Sequence, residues 1–73
     1  MNKDDEFNIL LGQWMKEKRE KAGFNQEEIG QHLGVSKPMI SFYESGRYSI
    51  SAKSFVRFCK LVGADPDDIV KLL

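Results

Sequence analysis

Cysteine and histidine, two residue types that often serve as nucleophile, general base or metal ligand, are scarce in this 73-residue sequence. It contains one cysteine, Cys59, and one histidine, His32. A single cysteine forms no disulfide within its own chain, and one histidine does not complete a metal site with it. The sequence shows no nucleophile–base pairing, phosphate-binding glycine loop or paired-carboxylate motif. We therefore predict no enzymatic activity, metal or cofactor, with Cys59 packed as a small hydrophobe and His32 exposed on a helix.

The chemistry that the sequence does offer is electrostatic. The net charge is zero, with 11 basic and 11 acidic residues, but the charges are unevenly distributed. Residues 36–60 contain a single acidic side chain, Glu44, and five basic ones, which are Lys37, Arg47, Lys53, Arg57 and Lys60. Residues 1–8 and 61–73 each have three acidic side chains against one basic one. A net charge of zero argues against a nucleic-acid partner, but a basic middle between acidic ends is compatible with one.

The basic segment begins inside a pair of short predicted helices that spans residues 25–46. Asn25 and Glu28 have the spacing of a capping box, in which each side chain bonds the backbone N–H of the other residue. Phe24 and Ile29 occupy the two positions of a hydrophobic staple around that cap. These signals predict that the first helix of the pair covers residues 26–33.

A tight turn separates the two helices of the pair. Gly34 can adopt the left-handed conformation that ends a helix, and Ser36 is suited to cap the next one. Pro38 lies in the first turn of the second helix, where a missing N–H has no intrahelical partner to lose. Gly46 ends the helical pair. Two helices joined by so few residues cross steeply, which is the geometry of a helix-turn-helix.

An amphipathic helix is predicted before the pair. Apolar residues recur at helical spacing from Phe7, which predicts a helix over residues 7–21. Gly12 lies inside this helix, where glycine lowers helix stability by about 1 kcal/mol relative to alanine. Such a loss is tolerated where a neighbouring helix approaches closely. Residues 1–6 are polar and lack a period, so we predict a flexible N-terminal tail.

Two more helices are predicted after the pair. Ser51 is placed to cap a helix that Gly63 ends, and its inner face carries Phe55, Phe58, Cys59 and Val62. Asp65 and Pro66 then begin a last short helix, with further acidic residues in its first turn. Residues 7–73 therefore read as one all-α domain of five helices.

The helical pair resembles the helix-turn-helix of the lambda-repressor and Cro class, the XRE-like DNA-binding proteins. Members of that class open the first helix with Gln, turn with Gly-Val-Ser, and end the second helix with Ile-Ser-x-Tyr-Glu-x-Gly. In this chain the corresponding residues are Gln26, 34–36 and 40–46. The resemblance implies a five-helix, lambda-repressor-like domain whose partner is double-stranded operator DNA.

The resemblance also implies which side chains contact DNA. The second helix of the pair would lie in the major groove with its base-facing positions at Ser36, Lys37, Pro38, Ser41 and Phe42. Gln26 and the N-terminus of its helix would contact phosphate, and the loop residues Arg47 and Tyr48 complete the predicted set. Family members often carry polar residues where this chain has Pro38 and Phe42. Readout here is expected to use apolar contact and shape, with Phe42 covering a thymine methyl.

One predicted pair is structural. In the resembled family, an Arg late in the first helix pairs with the Glu that precedes the Gly closing the recognition helix. Arg19 and Glu44 occupy these positions, so the resemblance implies a bidentate ion pair that fixes the first helix against the motif. The alternative is that both are ordinary surface charges.

The function implied is sequence-specific transcriptional regulation, most simply repression by a homodimer on a two-fold operator. The predicted dimer contact is the C-terminal region around residues 62–73. Two alternatives stay open. One is an antitoxin or restriction-modification controller with the same domain. The other is a regulator that acts mainly through protein contacts made by Met39, Phe42 and Tyr48.

The remaining expectations concern the setting of the protein. No signal peptide or membrane-length apolar run is present, so we expect a cytoplasmic protein of bacterial or phage origin without a membrane partner. No small-molecule ligand is predicted. The sequence ends on a helical pattern, which leaves room for a further C-terminal domain.

Overall fold

Helices make up the framework of the chain in a computed structural model that describes residues 3–73. Over this range the elements are α1 (Lys3–Lys21), α2 (Gln26–Leu33), α3 (Lys37–Glu44), α4 (Ala52–Val62) and a C-terminal 3₁₀ helix (Pro66–Leu72). The predicted all-α fold of five helices is therefore confirmed for the part of the chain that the structure describes.

The caps of α2 and α3 form as the sequence predicts. Asn25 Oδ1 accepts from the Glu28 backbone N–H at 2.8 Å, and Glu28 Oε1 accepts from the Asn25 backbone N–H at 2.9 Å. Gly34 ends α2 with φ of 73°. Ser36 Oγ then accepts from the Met39 backbone N–H at 3.2 Å and starts α3. These local hydrogen bonds fix both ends of the turn, and the predicted bounds of α2 are confirmed.

Both terminal elements differ from the sequence-based prediction. α1 begins at Lys3, not at Phe7, because three acidic residues in its first turn favour the positive end of the helix dipole. The predicted tail is thus helical from Lys3, and its first two residues lie outside the described range. The last element is a 3₁₀ helix, in which the Asp68 backbone N–H bonds the Asp65 carbonyl three residues earlier at 3.0 Å. The division into a tail and a domain stays a prediction.

The core is assembled from all four α-helices. Its buried apolar side chains are Met15, Ile29, Leu33, Ile40, Phe58 and Cys59. Trp14 packs at the edge, with its ring centroid 6.1 Å from that of Phe55. Burial raises the pKa of the Cys59 thiol, and the charge of Asp65 adds to this effect. A buried thiol that stays protonated is a poor nucleophile, in keeping with a packing role.

The seam between α1 and the end of α3 is unusually close. A Cβ atom on Gly12 would lie 2.4 Å from the carbonyl oxygen of Tyr43 and 2.5 Å from that of Glu44. Gly46 has φ of 79°, and a Cβ there would lie 2.7 Å from Cα of Ile9. Glycine is required at both points because the two backbones touch. α1 thereby fixes the direction of α3 and of the loop that follows it.

Candidate nucleic-acid interface

The start of α3 presents a polar face to solvent. Ile40 is buried on the opposite side of the helix and anchors α3 to the core. Residues three or four positions apart on a helix lie on one face, so Lys37, Pro38 and Ser41 project together. The exposed members of the predicted base-facing set are Ser36, Lys37, Pro38 and Ser41. The fifth member, Phe42, is only half-exposed.

The N-termini of α2 and α3 meet at a shallow cleft of about 300 Å³. Its lining includes Gln26 and Lys37, two of the predicted DNA contacts, together with Arg19. Lys37 is exposed, whereas Gln26 is half-buried. The fold therefore brings a predicted phosphate contact on α2 next to a predicted base contact on α3.

Beneath this cleft lies an ion pair between α1 and α3. Arg19 Nε donates to Glu44 Oε2 at 2.6 Å, and Arg19 Nη2 donates to Glu44 Oε1 at 3.1 Å. A third donor, Arg19 Nη1, bonds the Phe24 carbonyl at 2.8 Å. The two side chains are 8% and 5% exposed, so the pair is buried. The hydrogen bonds that Arg19 donates to the Glu44 carboxylate raise the pKa of Arg19 above its ordinary value.

Gln26 belongs to the same network, which sequence reasoning missed. Its Nε2 donates to Glu44 Oε1 at 3.0 Å, so one carboxylate joins α1, α2 and α3. The amide nitrogen carries two hydrogens, and the bond to Glu44 uses one of them. Eighteen residues separate Gln26 from Glu44, and no local pattern signals a contact at that distance. The bond holds the Gln26 side chain at the edge of the cleft.

Three predicted contact residues come together where α3 passes into the following loop, namely Phe42 in its last turn and Arg47 and Tyr48 after it. The rings of Phe42 and Tyr48 meet edge to face, with centroids 5.2 Å apart and planes at 88°. Arg47 Cζ lies 5.5 Å from the Phe42 ring centroid, within the range of a cation–π contact. The Phe42 carbonyl also accepts from the Arg47 and Tyr48 backbone N–H groups at 2.9 and 3.4 Å. We call these three residues the Phe42 cluster.

The charge of the surface follows from the burial of Glu44. This carboxylate is the only acidic group in residues 36–60, and it is buried and paired with Arg19. The basic side chains of the same segment are all exposed, namely Lys37, Arg47, Lys53, Arg57 and Lys60. The segment therefore exposes only its positive charges to solvent, which suits a phosphate backbone.

Among the described residues, no group of three or more His, Cys, Asp or Glu side chains could hold a metal ion.

Comparison with known sequences agrees with this geometry. Residues 15–69 match the family model described as helix-turn-helix. Over 55 residues, the chain is 36% identical to the ImmF control region 10 kDa protein of Bacillus phage phi105. The match covers 75% of this chain and 61% of that protein, less than two thirds of its length. An uncharacterized HTH-type transcriptional regulator of Archaeoglobus fulgidus is 34% identical over 55 residues, covering 75% of this chain and 78% of the relative.

Solved structures share the fold. The restriction-modification controller protein C.AhdI from Aeromonas hydrophila superposes with a TM-score of 0.81 at 18% identity, over 93% of this chain and 99% of that one. The clp gene regulator ClgR from C. glutamicum gives a TM-score of 0.80 at 24% identity, over 90% of this chain and 85% of the other. At these identities the likeness concerns the arrangement of helices.

No helix within residues 3–73 is both long and apolar enough to cross a membrane.

Proposed function

This chain belongs to the helix-turn-helix family of DNA-binding transcriptional regulators, and on that premise we propose that it represses transcription as a homodimer on a two-fold operator. The observation that carries the proposal is the exposed polar start of α3, set in a segment whose only acidic group is buried. An exposed helix end with positive charge around it suits insertion into the major groove.

The proposed contacts divide into two kinds. Ser36, Lys37 and Ser41 reach base edges, because they share the exposed face of α3. Gln26 contacts a phosphate with the amide hydrogen that Glu44 leaves free. Since Gln26 is held by the carboxylate at the end of α3, the phosphate contact also fixes the register of α3 on the duplex.

A homodimer is proposed because one recognition helix reads only a few base pairs, too few for a unique site. The C-terminal 3₁₀ helix leaves Val70 69% exposed and Leu73 89% exposed, and Leu10 of α1 is 41% exposed. Leu10 and Leu73 line one shallow cavity. These side chains are the proposed contact between the two copies. Binding at a promoter sets the proposed site of action in the cytoplasm of a bacterium or of a phage-infected cell.

A role through protein contacts alone has less support. The apolar patch it requires consists of Met39, Phe42 and Tyr48, and the first two are half-buried. Arg47 lies over the ring of Phe42. The surface is thus less apolar than the sequence indicates, and its charge favours an anionic partner.

The proposed function is tested by mobility shift with DNA from upstream of the protein's own coding sequence. We expect binding to that duplex in preference to a shuffled duplex of equal composition. Lys37→Ala should weaken the specific complex at least about fivefold, because each good side-chain contact to a base edge contributes roughly 1–3 kcal/mol.

Lys21→Ala is the matched control. It removes the same charge from the end of α1, where Lys21 is exposed and lines a cavity that includes none of the proposed DNA-contacting residues. We expect it to leave the specific complex nearly unchanged, because Lys21 is not among the proposed DNA or dimer contacts. Equal weakening by the two substitutions, or no preference for the upstream duplex, would contradict the proposal.

A further inference from the structure

Phe42 stands at a position where the family reads bases, yet its ring is already engaged within the protein. Arg47 lies over the ring and Tyr48 meets it edge to face. Phe42 as a whole is half-buried. A ring covered in this way has limited surface left for a thymine methyl. The contacts instead indicate that Phe42 restrains Arg47, which lies over its ring.

We propose that Phe42 is a positioning residue, whose ring holds the Arg47 guanidinium in place for a phosphate of the DNA backbone. The inference deepens the proposed function and rests on it. In this role Phe42 contributes to contact with the DNA backbone through Arg47. Its place in the motif alone would suggest that it reads a base. Tyr48 supports the ring from its edge.

The backbone on which Arg47 is mounted is held at several points. Gly46, with φ of 79°, packs directly against Ile9 of α1. The Arg47 N–H bonds the Phe42 carbonyl at 2.9 Å. Two residues further on, Ser49 Oγ donates to Asn8 Oδ1 at 3.0 Å. The loop is therefore tied to both α1 and α3, and the main freedom left to Arg47 is in its long side chain.

The ring restrains that remaining freedom without using up the donors of the guanidinium. A cation–π contact engages the flat face of the group, whereas its N–H bonds point outward in its plane. Two parallel N–H groups stay available for a phosphate, which is the bidentate arrangement that arginine favours. Ordering the side chain before binding lowers the entropy lost when the complex forms.

Positioning and base readout depend on different properties of Phe42. Covering a thymine methyl requires apolar volume, which leucine also supplies. Holding a guanidinium requires the negative face of an aromatic ring, which tyrosine keeps and leucine lacks. Phe42→Leu and Phe42→Tyr therefore separate the two roles.

The experiment measures affinity for a mixed-sequence duplex between about 50 and 200 mM salt, since phosphate contacts do not depend on sequence. We expect Arg47→Ala to reduce the slope of log affinity against log salt by about 0.9, the loss of one phosphate contact. Phe42→Leu should weaken binding about two- to fivefold, the size of an exposed cation–π contact, and Phe42→Tyr should bind like wild type. Phe42→Leu should have no further effect when Arg47 is already alanine.

A second readout needs no DNA. In the wild-type NMR spectrum, the Arg47 side-chain protons should be shifted upfield by the Phe42 ring. Phe42→Leu should abolish that shift, and Phe42→Tyr should keep it. The same spectra show whether each variant is folded.

The outcomes separate the two proposals. If wild type binds the duplex but Phe42→Leu weakens binding equally with and without Arg47, the positioning role is overturned and DNA binding stands. Unshifted Arg47 protons in wild type would also overturn it. If wild type binds no duplex, the proposed function fails and the phosphate role fails with it.

Discussion

Glu44→Ala is expected to lower the free energy of unfolding by about 3–5 kcal/mol, because it leaves the Arg19 guanidinium buried without its counter-charge. The Arg19 and Glu44 side chains are 8% and 5% exposed, so water cannot replace the lost carboxylate. The substitution also removes the acceptor of Gln26. A chain of this length has a total stability of about 4–11 kcal/mol, so the expected loss is about a quarter of that total or more. Denaturant titration with tryptophan fluorescence measures the loss.

Two further variants make this test specific. Glu17→Ala removes an exposed carboxylate from α1, and we expect a change within about 0.5 kcal/mol. The double variant Arg19→Ala/Glu44→Ala removes both charges, so its loss should be well below the sum of the two single losses. Additive losses would show that the two groups are independent and that the pair does not hold α1 against α3.

Gly12→Ala is expected to destabilise the protein by about 1–3 kcal/mol, although alanine favours a helix over glycine by about 1 kcal/mol. The reason is the close seam between α1 and α3. The new methyl would meet the carbonyl oxygens of Tyr43 and Glu44 at 2.4 and 2.5 Å, and these are backbone atoms that move only if α3 shifts. Thermal and denaturant unfolding measure the change.

The neighbouring substitution Gln13→Ala is the control for Gly12→Ala. Gln13 is exposed on the same helix, so alanine there changes propensity without a clash, and we expect almost no change in stability. A Gly12→Ala protein more stable than wild type would show that propensity outweighs the contact and that α1 is free to move away from α3.

The parts of the fold that the sequence predicted well are those fixed by local contacts. The bounds of α2 and the start of α3 follow from Asn25, Gly34 and Ser36, whose hydrogen bonds reach only a few residues along the chain. Gly12 also indicated a close helix approach. A glycine inside a helix lowers helix stability, and close packing against a neighbouring helix can compensate for that loss. The start of α1 was wrong because an acidic first turn has no apolar period. The last helix was assigned no 3₁₀ geometry because Pro66 begins either helix type equally well.

The site was harder to predict because its contacts join distant segments. Arg19 and Glu44 are 25 residues apart, and only the family resemblance indicated their pairing. The bond from Gln26 to the same carboxylate depends on how α2 packs against α3, which no periodicity encodes. The contact of Arg47 with Phe42 depends on the path of a loop after a left-handed glycine. Roles that rest on such contacts can be assigned only once the fold is known.

The claim that α3 is the face that meets DNA can be tested most directly by titrating ¹⁵N-labelled protein with a mixed-sequence duplex and following the backbone amides. We predict that the largest shifts fall on residues 36–42 and on the first turn of α2, with smaller ones in the loop of Arg47 and Tyr48. With duplex in excess, most protein copies bind separate sites and dimer contacts are few. Under that condition the amides of the C-terminal 3₁₀ helix should change least. Largest shifts in that 3₁₀ helix or α4, with residues 36–42 unchanged, would contradict the account.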